Sequence, residues 1–279
     1  MATAWVLNLD AEDELRTRGP YTPSADLRAL VEAHADGAAR AVFEPGDVRV
    51  DARTAGSVAG LPGNAWCPTP SALGALRAAG ARVPDAPSID VLRAVNDRAF
   101  SAALGQTLDG SMFVRAQTDA LVACDGGRWL FKRAFSHAGR GRRRVRGEPT
   151  PADCAWIAAS LREGHGLQVE PWVEVTDEFA VHGVIEPGGA WRLRGLVAQR
   201  VAPTGAWVGA RPVDGGDLVA DERAALVGEG ERVAAALAAA GYFGPFGVDA
   251  FRYRDGVHTR FQPRSEINAR YTMGWAASG

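Results

Sequence analysis

Apolar positions along the chain follow two different rhythms, and the change between them divides the sequence. Residues 5–9 are a short apolar run of strand length. Ser24 then precedes Leu27, Leu30 and Val31, which recur at helical spacing and predict a capped helix through about residue 34. Residues 41–43 predict a second strand, closed by Glu44, Pro45 and Gly46. Ser71 opens a further helix that carries Leu73 and Leu76 and stops at Gly80. The proline-rich stretch 83–88 reads as a linker. Residues 1–88 are therefore expected to be an α/β unit around a small parallel sheet.

Beyond the linker, a helix is expected over 89–104, followed by three hairpin patterns. The first pairs 120–124 with 129–132 about a turn at 125–127. The second pairs 179–185 with 191–200 across Pro187, Gly188 and Gly189. The third joins 247–253 to a return strand ending near Asn268, with its turn at Asp255 and Gly256. A long helix over 221–240 precedes the third pair. Antiparallel pairs with attached helices make residues 89–279 an α+β region.

At 279 residues the chain is long enough to bury a substantial core without disulfide or metal staples. Its formal net charge of −2 argues against a protein whose main task is gripping nucleic acid or an anionic membrane. Cys67, Cys124 and Cys154 show no close spacing, so neither a disulfide framework nor a zinc site is indicated. The longest apolar stretch, 233–240, is too short to span a bilayer. The N-terminus carries early acids and no basic leader, so a reducing, cytoplasmic location is expected. The basic residues include a single lysine, Lys132, against 30 arginines. A lysine kept in an arginine-rich chain marks either a position that needs a compact point charge or a surface remnant, in equal measure.

Three stretches carry candidate chemistry. Lys132 ends a strand and leads into a loop containing Ser136, His137, Gly139 and Gly141, with arginines through 146. Such a loop can cradle phosphates with backbone N–H groups, although a solvated basic loop is the commoner outcome. In the third hairpin, Asp249 lies on the outgoing strand, and Glu266 and Asn268 share one face of the returning strand. Two carboxylates and an amide oxygen are hard ligands suited to magnesium. Asp249 lies closer to the turn than Glu266 does, so opposing them requires a bulge, for which Pro263 is a natural place. Between these, Glu170, Pro171, Trp172 and Val173 interrupt an apolar strand, and Glu178 follows; alone, this is only strand, turn and strand.

Taken in order from about residue 96 to 274, these pieces resemble the ATP-grasp superfamily, especially its carboxylate–amine ligases of the D-alanine–D-alanine ligase type. The stretch from Gly247 through Glu266, Asn268 and Arg270 to Gly274 is the most specific part. The resemblance implies a pre-ATP-grasp domain over 1–88 and an ATP-grasp domain over 89–279. The latter would comprise a small lid subdomain at about 110–178 and a C-terminal subdomain at about 179–279, with ATP between them. It implies that Lys132, Ser136, Gly139 and Gly141 hold ATP phosphates, and that Glu170, Trp172 and Val173 form the adenine hinge. Glu178 would bind ribose, and Asp249, Glu266 and Asn268 would hold Mg2+, with Mn2+ as an allowed substitute. Arg270 takes a phosphate- or substrate-contacting place, and Arg98 stands where the family usually has a phosphate-binding lysine.

The implied activity is ADP-forming ligation: a carboxylate is phosphorylated to an acylphosphate, and an amine displaces phosphate to form an amide. That chemistry rests on positioning and charge neutralisation, so it needs no nucleophilic triad. Small-molecule or peptide acids and amines are the expected partners, and a homodimer is compatible. Two rivals stand beside this reading. One is an ATP-grasp kinase that stops at a phosphorylated product, and the other a non-catalytic module whose basic loop holds RNA or an acidic partner.

Overall fold

The computed structural model describes the chain except residues 52, 53, 55, 106, 125, 137–140, 163 and 203–206. Its first sheet is parallel, in the order β2-β1-β3, and consists of β1 (Ala4–Val6), β2 (Val48–Arg49) and β3 (Gly63–Ala65). Helices α1 (Ala11–Arg16), α2 (Ala25–Val42) and α3 (Pro70–Ala78) accompany it. The Ser24 hydroxyl accepts the Leu27 N–H and starts α2 as expected. The helix then runs on through residues 41 and 42, which are not a strand. Ala35, Ala38, Ala41 and Val42 are buried at spacings that continue one helical face, and alanine is the strongest helix former. The strand follows the turn instead, at Val48.

The helix expected over 89–104 is two helices, α4 (Ile89–Asn96) and α5 (Arg98–Ala103). Asp97 between them is extended, and its carboxylate accepts the Ala99 N–H at 2.8 Å. An aspartate that can cap a new helix gives the chain a stable place to break the old one.

The second sheet is antiparallel, in the order β4-β7-β5-β6, from β4 (Met112–Val114), β5 (Arg128–Arg133), β6 (Arg142–Arg146) and β7 (Leu167–Pro171). Phe131, Val145, Leu167 and Val169 cover one face and pack with Ala120 and Ile157 from α6 (Gln117–Val122) and α7 (Pro151–Leu161). Residues 120–122 therefore belong to a helix and do not pair with 129–132. Within this turn the Cys124 thiol reaches the Ala120 carbonyl, an i, i+4 contact that a strand could not make. The hairpin partner of β5 is β6, whose only buried residue is Val145 and whose other positions read as a charge run.

The third sheet is antiparallel, in the order β10-β9-β8-β11-β12. It contains β8 (Glu174–Ile185), β9 (Trp191–Val201), β10 (Trp207–Pro212), β11 (Gly244–Asp255) and β12 (His258–Asn268). Helix α8 (Ala220–Ala239) lies across one face and buries Leu226, Val233 and Leu237. A Cβ at Gly230 would sit 2.9 Å from Val181, so the helix approaches the sheet as closely as glycine allows. Arg264 is 2% exposed beneath this helix. It donates to Glu229 at 2.5 Å, to the Ser101 carbonyl at 2.7 Å and to the Gly105 carbonyl at 2.9 Å.

One hydrophobic cluster joins the first and third sheets, running from Trp5, Leu7 and Trp66 to Val248, Ile267 and Trp275. Tyr271 stacks edge-on against both Trp5 and Trp275, at centroid distances of 5.1 and 5.0 Å. The second sheet has its own core. Arg142, on its uncovered face, reaches Glu266 on the face of the third sheet that α8 leaves open.

Candidate active site

The register of β11 and β12 places Asp249 opposite Glu266 and Gly247 opposite Asn268. From Asp249 to Phe251 the outgoing strand advances two residues, while its partner goes from Glu266 to Gln262. The extra residues form a bulge at 263–265, where Pro263 falls, as the sequence required. Val248, Ala250 and Ile267 are buried in the core, so Asp249, Glu266 and Asn268 take the open face. The Asn268 amide donates to one Asp249 oxygen at 2.9 Å, and Gln199 on β9 donates to the other at 2.9 Å.

The electrostatics of the two acids diverge. Burial, then the neighbouring charge of Glu266, pushes the Asp249 carboxyl up to about 6, although its side chain keeps some solvent exposure. Burial acts in the same direction on Glu266, but Arg98, Arg142 and Lys132 outweigh it and hold that carboxyl down at about 2. Two facing carboxylates, one of them held back from ionising, are a donor set that a divalent cation would satisfy. The residues present therefore fit magnesium: two carboxylates and one amide oxygen, all hard donors. Among the described residues no group of three or more His, Cys, Asp or Glu side chains converges as a metal cage.

Across the cleft, Lys132 on β5 is 4% exposed and Glu170 on β7 is 3% exposed. They lie on adjacent strands and the same face, and the ammonium pairs with the Glu170 carboxylate. The single lysine is thus a buried, paired cation and not a surface remnant. Burial lowers its pKa, Glu170 opposes that, and Arg142 and Arg98 add to the lowering. Glu178, on β8, is pushed up by burial against the pull of Arg142 and Lys132, which puts it in the same electrostatic neighbourhood.

Arg98 connects the two halves. It is 7% exposed at the start of α5, where the break at Asp97 aims it into the cleft. Its Nε donates to the Arg133 carbonyl at 3.0 Å, and its Nη2 donates to Ser136 at 3.2 Å and to Glu266 at 2.8 Å. Arg142, the register partner of Lys132, approaches Glu266 at 3.7 Å. Gly141 takes φ +65°, and a Cβ there would lie 2.9 Å from the Ser136 side chain. Gly139 and His137 lie outside the described residues.

The other expected residues are placed apart from this cluster or differently within it. Arg270 pairs with Glu12 of α1, its Nε donating at 2.9 Å, and its Nη1 donates to the Tyr271 carbonyl at 3.0 Å. Trp172 donates its backbone N–H to the Arg128 carbonyl at 2.8 Å, and Val173 is half-buried beside it. Two participants escaped the sequence reading, Gln199 as the second donor to Asp249 and Arg142 as a specific partner of Glu266. Neither is marked by spacing, because each reaches its acid across a strand register that the sequence does not state.

No protein-family model and no curated protein matches the sequence. Solved structures do match. D-alanyl-alanine synthetase A from Vibrio cholerae superposes with a TM-score of 0.56 at 14% identity, covering 96% of this chain and 88% of that one. Biotin carboxylase from Campylobacter jejuni, in complex with β,γ-ATP, gives 0.57 at 13% identity, covering 99% and 67%. N5-carboxyaminoimidazole synthetase from Staphylococcus aureus, complexed with ADP, gives 0.53 at 12% identity, covering 96% and 70%. Against pyruvate carboxylase from Rhizobium etli the chain spans only 27% of the matched protein's length. These are ATP-grasp enzymes, and the chain has the mixed α/β ATP-grasp fold that they share.

Proposed function

We propose that the chain is an ATP-dependent, ADP-forming carboxylate–amine ligase that makes an amide bond through an acylphosphate. The observation that carries this reading is the convergence of Lys132, Arg98 and Arg142 with Asp249, Glu266 and Asn268 between two facing sheets. Residues 1–88 act as the pre-ATP-grasp unit and 89–279 as the nucleotide-binding unit, with the nucleotide between the second and third sheets. Lys132 and Arg98 would neutralise its phosphates, beside Ser136 and Gly141, with Gly139 assigned to the same loop from the sequence alone. Glu170, Trp172 and Val173 would border the base, and Glu178 would bind the ribose.

Asp249, Glu266 and Asn268 would hold Mg2+, which when bound would supply charge neutralisation for the nucleotide's phosphates. The remaining chemistry is orientation. Gln199 and Asn268 fix the Asp249 carboxylate, and Arg98 fixes that of Glu266, so the donors need little rearrangement when a cation arrives. The acid substrate's carboxylate attacks the γ-phosphorus, ADP departs, and the amine then displaces phosphate from the acyl carbon. Arg270 lies beyond Asn268 at the substrate end, held by Glu12. The three cysteines are free, which suits a reducing cytoplasm. Among the described residues no helix is long and apolar enough to cross a membrane.

Calorimetric titration with Mg·AMPPNP tests the site. Wild type should bind with a metal requirement, Glu266→Gln should lose that requirement's benefit, and Lys132→Ala should weaken nucleotide binding without unfolding the protein. A screen of acid and amine pools for ADP release then tests the reaction. ADP release with a stable phosphorylated product and no amine requirement would replace ligase by kinase. Absence of nucleotide binding in wild type would sink the reading.

A further inference from the structure

The second sheet carries a row of charge that starts at Arg142 in the proposed site and extends beyond it along β6. Arg142, Arg144 and Arg146 occupy alternate positions of β6 and are exposed on one face. Arg128 on β5 is the cross-strand partner of Arg146, and it too is exposed. Three of these guanidiniums crowd one indole: Arg128, Arg144 and Arg146 lie 4.3, 4.7 and 4.7 Å from the Trp172 ring centroid. No carboxylate forms an ion pair with any of the three among the described residues. Like charges directly opposite one another on a sheet are destabilising, and the indole's negative face offsets that only in part. The fold therefore holds a cationic row at a cost that an anionic ligand would relieve.

The backbone supplies a second observation. β6 ends the second sheet, and it pairs with β5 alone. Its outer edge has no strand partner among the described residues. Side chains on one face of an extended chain repeat every ~6.8 Å, so a strand added to this edge would bring every second side chain level with Arg142, Arg144 and Arg146. We propose that the β6 edge docks an extended polypeptide segment with acidic residues at alternate positions, which adds a strand to the second sheet and pairs its carboxylates with the arginine row.

Single-stranded nucleic acid fits this surface less well. Bases bind by stacking on open aromatic faces, and here the guanidiniums already cover the one aromatic ring. The row ends at Arg142, beside Lys132 and Glu266, so a docked chain lies alongside the cleft. The docking does not depend on ligation, and it is measurable without nucleotide.

The test uses a fluorescein-labelled dodecapeptide of alternating glutamate and threonine, with fluorescence anisotropy as the readout. Controls are a block peptide of the same composition and a dodecameric oligouridylate. Wild type should bind the alternating peptide best, with affinity falling as salt rises. The double variant Arg144→Gln/Arg146→Gln should bind it at least tenfold more weakly while keeping its circular dichroism spectrum and its urea midpoint. Hydrogen exchange should show new protection of the β6 amides when the peptide is present. Equal binding by the double variant, equal binding of the block peptide, tighter oligouridylate binding, or unprotected β6 amides would each overturn the proposal. Loss of AMPPNP binding in wild type leaves this test untouched, so the two readings fail separately.

Discussion

Replacing Glu170 by glutamine should destabilise the protein more than replacing Lys132 by methionine, although each removes one half of the same pair. Both side chains are almost fully buried, and the ammonium stands among Arg98 and Arg142. Glu170→Gln strips the one carboxylate that offsets burial and two like charges. Breaking a buried pair in this way costs about 3–5 kcal/mol. Lys132→Met leaves Glu170 with the Thr107 hydroxyl at 3.4 Å, so its cost is nearer about 1.5–3 kcal/mol, the worth of one charged hydrogen bond. The double variant should resemble Lys132→Met alone and not the sum. The pH dependence carries a sign. Lys132 has its folded pKa below 10.5, so between those values the unfolded chain binds more protons and stability climbs with pH. That climb should be steeper in Glu170→Gln. Urea unfolding followed by circular dichroism from pH 6 to 9.5 measures all four proteins. Equal losses in the single variants, additivity in the double and an unchanged pH slope would refute this account of the pair.

Three other outcomes are expected. Asp249, with its carboxyl raised to about 6, favours the protonated folded state, so its contribution to stability is lost as pH rises from 3.8 through about 6. Asp249→Asn should therefore raise the unfolding free energy of the metal-free protein at pH 7, by on the order of 3 kcal/mol in urea titrations, while Mn2+ binding measured by electron paramagnetic resonance disappears. Arg264→Leu removes donors to Glu229, Ser101 and Gly105, and should cost about 3–5 kcal/mol; a thermal midpoint within a degree of wild type would contradict that. Gly141→Ala forces an L side chain into φ +65° against Ser136, and should cost about 1–2 kcal/mol, read as faster hydrogen exchange in β5 and β6.

The elements that sequence reading recovers are those whose apolar rhythm matches their final environment. The hairpins β8–β9 and β11–β12, helix α8 and strand β1 of the parallel sheet are of this kind, because each has one face in the core. The errors share a cause. Residues 41–43 looked like a strand because three apolar residues carry no period, and only the alanines before them continue the helix. Residues 120–124 failed in the same way. Strand β6 was invisible because its exposed face is arginine and a single valine marks the buried one. At the site, the two acids, the asparagine and the bulge that aligns them were legible from order and spacing. The pairings of Lys132 with Glu170, Arg98 with Glu266 and Arg270 with Glu12 were not, because they join residues from 38 to 258 positions apart.

The bulge at 263–265 imposes a parity rule on the end of β12. Because side chains alternate, an even number of extra residues leaves Gln262 and Glu266 on the same face, as the register shows. Deleting one residue from the bulge would turn Ile267 toward the cleft and drive Glu266 and Asn268 into the core beneath α8. Deleting two would shorten the strand yet keep every later side chain on its proper side. Changes in steps of two that spare Arg264 should therefore keep the facing of every later side chain, and a single-residue change should remove Glu266 and Asn268 from the cleft without touching either of them.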